Sequence, residues 1–362
     1  QFGLPVENVE HGISPVRFCL GALAAHCSRV PDRYATPRNA AAARLGPPPC
    51  LPVEMHRCMA AHSFAKEGET KGERFVMHWT DRRKRFRTLL AGERCVHPGS
   101  VFDPISARIA EDLGFEIGMF AGSVASMTVL GAPDLIVLTL SEFAGQAYRI
   151  NRAGSLPLMV DADHGYGNAL NARRTVEELE TAGVCGLSLE DTDLPTPYGT
   201  TAPRLISIDE GVAKMKAALG GRQDPSLCIA GRTSAIAITG LDDAIARGRA
   251  YEAAGVDALF FVGVRTRAEL DAISGATTLP IILGGVSGDL TDLAYLGARR
   301  VRIALQGHQP FAAAVKAVYD TLKALRDGTQ PSKLQGVASP ELMKKVTRDA
   351  DYARWTKDFL GG

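Results

Sequence analysis

LPLMVDADHGYGN, residues 156–168, runs an apolar segment into a glycine-rich turn and delivers two carboxylates, Asp161 and Asp163, at the junction. The apolar part has the length of a buried strand, and Gly165 and Gly167 mark where the chain leaves it. Side chains two apart on a strand share a face, so both acids are expected to aim at one point while extended geometry lasts. Mg²⁺ suits such a pair, because it takes one or two protein carboxylates and fills its other positions with water and substrate oxygens. The competing reading is that the two acids only cap a helix beginning near Ala169.

Working outward, short apolar runs alternate with helical patterns from Cys95 onward. Strands are predicted at 95–102, 116–121, 156–161, 186–190, 227–232, 258–262, 280–283 and 300–305, with helices such as 170–182, 207–219, 241–254 and 266–273 between them. This alternation belongs to α/β proteins built from parallel βα units. Eight units close naturally into a (β/α)₈ TIM barrel covering 77–331, with its chemistry at the C-terminal strand ends. An open doubly wound sheet is the alternative, but no GxGxxG follows the first strand to make a dinucleotide site. Ahead of the barrel, HWTDRRKRFRTLLAG reads as an extra amphipathic helix with Trp79, Phe86 and Leu89 or Leu90 as its apolar positions. Beyond the barrel, 332–362 forms a C-terminal helical segment whose Leu342, Val346, Tyr352 and Trp355 need a partner surface. The pattern does not say whether that surface is the chain's own barrel or a neighbouring subunit.

The chain has 362 residues, 46% hydrophobic and 22% charged, the profile of a globular protein with a large core. A formal net charge of +1 gives no electrostatic case for nucleic acid, and no apolar run is long enough to cross a membrane. The expected partner is a small molecule. Seven cysteines are scattered without a CxxC pair, and Cys95, Cys185 and Cys228 fall in or beside apolar strands, where a cysteine is usually a reduced core residue. A reducing, cytoplasmic setting is therefore expected. Residues 1–76 lack a sustained period and contain GPPPCLP; they are expected to be a disordered extension or non-native leader, with Met77 near the natural start.

The predicted strand ends carry Asp103, Ser123, Asp161 with Asp163, Glu190 with Asp191, Arg232 and His308. Each has a plain structural explanation, Ser123 as a helix cap, Glu190 as a surface acid, Arg232 as an ion-pair partner and His308 as a loop residue. Their joint position at successive strand ends favours a common reaction face instead.

These residues resemble the isocitrate lyase and phosphoenolpyruvate mutase superfamily. The resemblance runs from about Met77 to the C-terminus through FDPISARIAEDLGF, the GSVAS turn at 122–126, APDLIVLTLSEF, DADHGYGN, LSLEDT, IAGRTSA and GARRVRIALQGH. The Gly307-His308 pair after the eighth strand is similar to the oxaloacetate decarboxylase branch. The loop DLPTPYGTTAPR has neither the catalytic cysteine of the isocitrate and methylisocitrate lyases nor the Lys-Thr-Asn element of phosphonopyruvate enzymes. LGGVSG after the seventh strand lacks a tyrosine expected of the decarboxylases, and Gly284, Gly285 and Gly307 lie where many barrels bind phosphate. The resemblance implies Mg²⁺, with Mn²⁺ as the alternative, held directly by Asp161 and through water by Asp163, Glu190 and Asp134. It assigns Ser123, Arg232 and His308 to substrate binding, with Arg232 and His308 also catalytic. The implied reaction is decarboxylation of oxaloacetate to pyruvate and CO₂ through a metal-stabilised enolate. Alternatives are another 2-oxo acid C–C lyase, a phosphonopyruvate or carboxyphosphonoenolpyruvate-type enzyme, and a non-catalytic metabolite-binding barrel. The resemblance further implies a homotetramer, a dimer of dimers with terminal helices exchanged between subunits.

Overall fold

Eight parallel strands follow one another around a single sheet in the order β1 to β8 in this computed structural model, which describes residues 78–361. The expectation for 1–76 lies outside the described residues. Helix α1 (Trp79–Ala91) precedes β1 (Gly99–Ser100), and α2 (Pro104–Asp112) leads to β2 (Gly118–Ala121). After β2 the chain turns at once into α3 (Gly122–Ala125), whose last turn widens into a π-helix over Ser126–Leu130, and then α4 (Leu140–Asn151). Next come β3 (Leu158–Asp161), α5 (Ala169–Thr181), β4 (Gly186–Glu190), α6 (Ile208–Gly221), β5 (Cys228–Thr233), α7 (Ala235–Ile238) and α8 (Leu241–Ala254). The circuit ends with β6 (Ala258–Phe261), α9 (Arg267–Ala276), β7 (Ile281–Leu283), α10 (Leu293–Ala298), β8 (Val301–Ala304) and α11 (Gln309–Arg326), followed by α12 (Pro340–Thr347) and α13 (Asp349–Leu360).

The barrel closes through Val96, whose N–H donates to the Arg302 carbonyl at 2.9 Å and whose carbonyl accepts from Ala304 N–H at 3.0 Å. The single first strand expected at 95–102 is thus split into a one-residue bridge at Val96 and the pair Gly99–Ser100. Pro98 supplies the reason, since it has no N–H to give a ladder. The period-two pattern sorts the other strands: Leu158 and Val160 face the helices, while Met159 joins Met119, Ala230, Phe260 and Ile303 in the barrel interior. Cys95, Cys185 and Cys228 are buried free thiols, and burial pushes Cys95 and Cys185 up to about 11.

Helix α1 closes the N-terminal end of the barrel with Phe86 and Leu90, as its apolar pattern predicts, but it also buries Arg82 and Arg83. Their guanidinium groups donate to carbonyls that helices and strands leave open, Arg82 to Asn151 O at 2.6 Å and Arg83 to Val184 O at 2.9 Å, and Arg83 also pairs with the Asp224 carboxylate at 2.8 Å. Cationic side chains at helix C-termini are favoured by the open carbonyls there. At the other end of the chain, α11 has no buried residue along its 18 positions, and Val315, Val318, Tyr319 and Leu322 are exposed. Val346 of α12 is buried, and Arg348 binds Asp112 of α2 at 2.6 Å, so α12 docks on the chain's own barrel.

Candidate active site

Strand register builds the site. Asp161 stands beside Ser188, and Glu190 beside Arg232, and because Ser188 and Glu190 are two apart on β4 both pairs turn to the same face of the sheet. Ser188 Oγ donates to Asp161 Oδ1 at 2.9 Å, and Arg232 Nη1 donates to Asp161 Oδ2 at 2.5 Å. Arg232 Nη2 lies 3.4 Å from Glu190 Oε2, which also accepts from Thr192 Oγ1 at 2.9 Å. The guanidinium stands 5.5 Å from the Phe260 ring centroid, a cation–π contact on its remaining side.

Asp163 reaches the same place by a different route from the one its spacing suggests. Extended geometry ends at Asp161, and Asp163 has a left-handed backbone with φ 47°. Its carboxyl group lies against Gly122, where a Cβ would stand 2.5 Å from Oδ1 and 2.6 Å from Cγ. Only glycine permits that approach. The stretch expected as a GSVAS turn forms the whole of α3 and the first residue of the π-helix, so Gly122 and Ser123 follow directly on the end of β2. Non-glycine residues in this backbone region cost energy and collect at functional sites; Tyr166, at φ 60°, is a second one in the same loop.

These side chains line one cavity of about 510 Å³ at the C-terminal mouth of the barrel: Ser123, Asp134, Asp161, Asp163, Glu190, Arg232 and His308. All seven residues expected at the site are therefore brought together. Asp103 and Asp191, also expected at this mouth, are not. Asp103 caps α2 in a reciprocal pair with Ser106, and Asp191 is fully buried and turned away toward α8. Three residues that sequence reasoning passed over complete the site: Ser188 and Thr192 orient the two acids, and Ser100 Oγ lies 2.9 Å from His308 Nδ1. Ser188 was legible in principle, because it stands two positions before Glu190 and so shares its face.

The electrostatics show excess negative charge. Burial, then Asp161 and Glu190, hold the Asp163 carboxyl well above the usual range. Burial also raises Glu190, against the pull of Arg232, and burial with Asp161 raises Asp134. For Arg232, burial is outweighed by Asp161 and Glu190, so its charge is secured. Burial lowers His308, although Asp161 and Asp134 pull the other way. Four carboxyl groups facing one guanidinium are a hard-oxygen set that a divalent cation fits. Among the described residues no three His, Cys, Asp or Glu side chains close into a cage.

Residues 86–326 match the family model described as phosphoenolpyruvate phosphomutase. The chain belongs to that family. It is 62% identical over 280 residues to an oxaloacetate decarboxylase of Bradyrhizobium sp. (strain ORS 278), covering 77% of this chain and 97% of that protein. It is 62% identical over 285 residues to an oxaloacetate decarboxylase of Rhodopseudomonas palustris (strain BisB18), covering 79% and 99%. Among solved structures, oxaloacetate acetylhydrolase in complex with the inhibitor 3,3-difluorooxalacetate superposes with a TM-score of 0.69 at 27% identity, covering 78% of this chain and 98% of that one. A phosphonopyruvate hydrolase complex with oxalate and Mg²⁺ gives a TM-score of 0.68 at 27% identity, covering 77% and 99%. The eight-stranded barrel and the superfamily expected from the sequence are both found.

Proposed function

We propose that the chain is a carboxy-lyase that decarboxylates oxaloacetate to pyruvate and CO₂, using Mg²⁺ held directly by Asp161 and through water by Asp163, Glu190 and Asp134. Near-complete coverage of relatives named oxaloacetate decarboxylase, at 62% identity, carries this reading. The cavity wall agrees with it: the 193–204 excursion contributes Leu194, Pro195 and Thr196, and holds no cysteine to act as the acid of a retro-aldol cleavage.

In the reaction the C3–C4 bond breaks, CO₂ departs, and its electron pair becomes the C2–C3 double bond of an enolate that takes a proton at C3. A divalent cation in this site supplies a Lewis acid for the charge that collects on the keto oxygen. Ser123 and the N–H groups at the start of α3 bind the carboxylate that is retained. Arg232, locked between Asp161 and Glu190, sets a fixed positive charge beside the retained carboxylate and the enolate oxygen, where charge grows as the bond breaks. His308, held by Ser100 and with burial disfavouring its charged form, faces the departing carboxylate with a hydrogen bond. A cation there would stabilise the ground state and slow the loss of CO₂.

The exposed apolar stripe of α11 supports assembly with further copies, and we assign a homotetramer with Mn²⁺ as a substitute metal and a cytoplasmic setting. Among the described residues no helix is long and apolar enough to cross a membrane. Light scattering on a sizing column tests the tetramer; a monomer rejects it. Pyruvate release from oxaloacetate, phosphonopyruvate and methylisocitrate, with and without chelator, tests the reaction. Turnover of oxaloacetate alone, abolished by chelator, is expected. Faster turnover of phosphonopyruvate favours phosphonate chemistry, and tight 2-oxo acid binding without turnover favours a binding barrel.

A further inference from the structure

The strand end that sends Glu190 into the cavity turns Asp191 the other way, into a buried junction with α8. Asp191 Oδ2 accepts from Arg247 Nη1 at 3.0 Å and from Tyr251 OH at 2.7 Å. Arg247 Nη1 also donates to the Ile206 carbonyl at 3.0 Å, while its Nε is held by Asp243 at 2.9 Å. Asp191 and Ile206 are the two legs of the excursion between β4 and α6. Ile206 N–H donates to Asp191 O at 2.9 Å, Thr192 bridges Leu205, and Asp193 N–H donates to Arg204 O at 2.8 Å. One guanidinium therefore grips both legs of a neck, and the residues just beyond it, Leu194, Pro195 and Thr196, wall the active-site cavity. From the same neck Thr192 holds Glu190.

The junction is packed to receive Tyr251. A Cβ on Gly211 of α6 would run into the tyrosine hydroxyl, and one on Gly231 of β5 would stand 3.1 Å from Tyr251 Cδ2. Neither Arg247 nor Tyr251 lines the cavity. A lysine in place of Arg247 would offer a point charge without the planar fork that reaches Asp191, Ile206 and Asp243 together.

We propose that Arg247 and Tyr251 are positioning residues for the reaction: through Asp191 and Ile206 they hold the 193–204 excursion in the pose that walls the substrate cavity. The kinetic part of this inference rests on the decarboxylase reading; the structural part does not. When the neck loosens, only a fraction of molecules presents the walled cavity, so apparent substrate affinity falls by that fraction while the bond-breaking step in the walled state is unchanged.

The test uses Tyr251→Phe, which keeps the ring in its glycine-lined seat, and Arg247→Lys, which keeps a charge opposite Asp191 where Arg247→Ala would leave a buried carboxylate unpaired. KM and kcat for oxaloacetate are measured with trypsin cleavage at Arg204, the one lysine or arginine within 193–204, at a temperature where both variants stay folded. Expected for each variant is a KM raised about fivefold or more, as one lost hydrogen bond allows, with kcat within about twofold and faster cleavage at Arg204. Cleavage at the wild-type rate, with KM unchanged and only the melting temperature lowered, overturns the proposal. So does a fall in kcat with KM and cleavage unaltered. A wild-type protein inactive on oxaloacetate, whose variants are still cleaved faster, supports the clamp while rejecting the decarboxylase reading.

Discussion

Gly122→Ala is expected to disable the site without removing any of its ionisable side chains. The added Cβ would stand 2.5 Å from Asp163 Oδ1 and 2.6 Å from Cγ, with Oδ2 in still closer conflict, whereas ordinary contact begins near 3.4 Å. Relief requires the carboxyl group to move by about 1 Å, and displacements of that size typically cost about 100-fold in rate, near 2.7 kcal/mol of transition-state stabilisation. Asp163 has little room to yield. It is buried, its backbone is already left-handed, and its carbonyl is held by Glu190 N–H at 2.8 Å. Overpacking adds about 1–3 kcal/mol of destabilisation, offset by less than about 1 kcal/mol from the lower chain entropy of alanine. The assay is pyruvate release over a Mg²⁺ titration, with far-UV circular dichroism and thermal melting as controls for folding. A folded variant with kcat reduced about 100-fold and a weaker Mg²⁺ response is expected. A folded variant within about threefold of wild type in both would refute the reasoning that Asp163 works from its present position.

Two further outcomes follow from the same geometry. His308→Ala should lower kcat by about 10²-fold or more while leaving the Mg²⁺ half-saturation within about twofold, since the imidazole is tied to Ser100 and not to the acids; an equal loss of metal response contradicts that role. His164 is buried, and burial, then Lys214, push its imidazole down to about 4. The unfolded chain takes up a proton below about pH 6.5 while the folded chain does not, so folding should lose about 2 kcal/mol between pH 7 and 5 on this account alone. Urea unfolding of His164→Gln should show a shallower acid loss by about that amount, and identical slopes would remove His164 as the cause.

The barrel was legible because its strands are short apolar runs bounded by turn residues: β4 and α8 fall where the sequence puts them, the first strand is cut to a bridge at Val96 and a pair at Gly99–Ser100, and the other strands shift by a few residues. Site residues on strands were legible for the same reason, since period two sends Asp161, Glu190 and Arg232 inward together. What escaped depends on contacts between distant segments. The burial of Arg82 and Arg83 cannot be read from a helical wheel, because it is stabilised by carbonyls of α4 and α5. Asp191 looks like a twin of Glu190 until Arg247 and Tyr251, 56 and 60 residues on, are seen to hold it. The entry of Asp163 by a left-handed turn follows from Gly122, on another strand end, and no pattern within DADHGYGN announces it.

Pyruvate release from oxaloacetate by the wild-type protein and by Asp161→Ala, each over a Mg²⁺ titration and corrected for a metal-only blank, tests the central claim most directly. The blank is needed because the free ion itself promotes this decarboxylation. Saturable, chelator-sensitive turnover is expected of the wild type, and none above the blank of Asp161→Ala. Mg²⁺-dependent turnover by a folded Asp161→Ala within about tenfold of wild type would contradict the claim, because losing a direct ligand must cost far more than that.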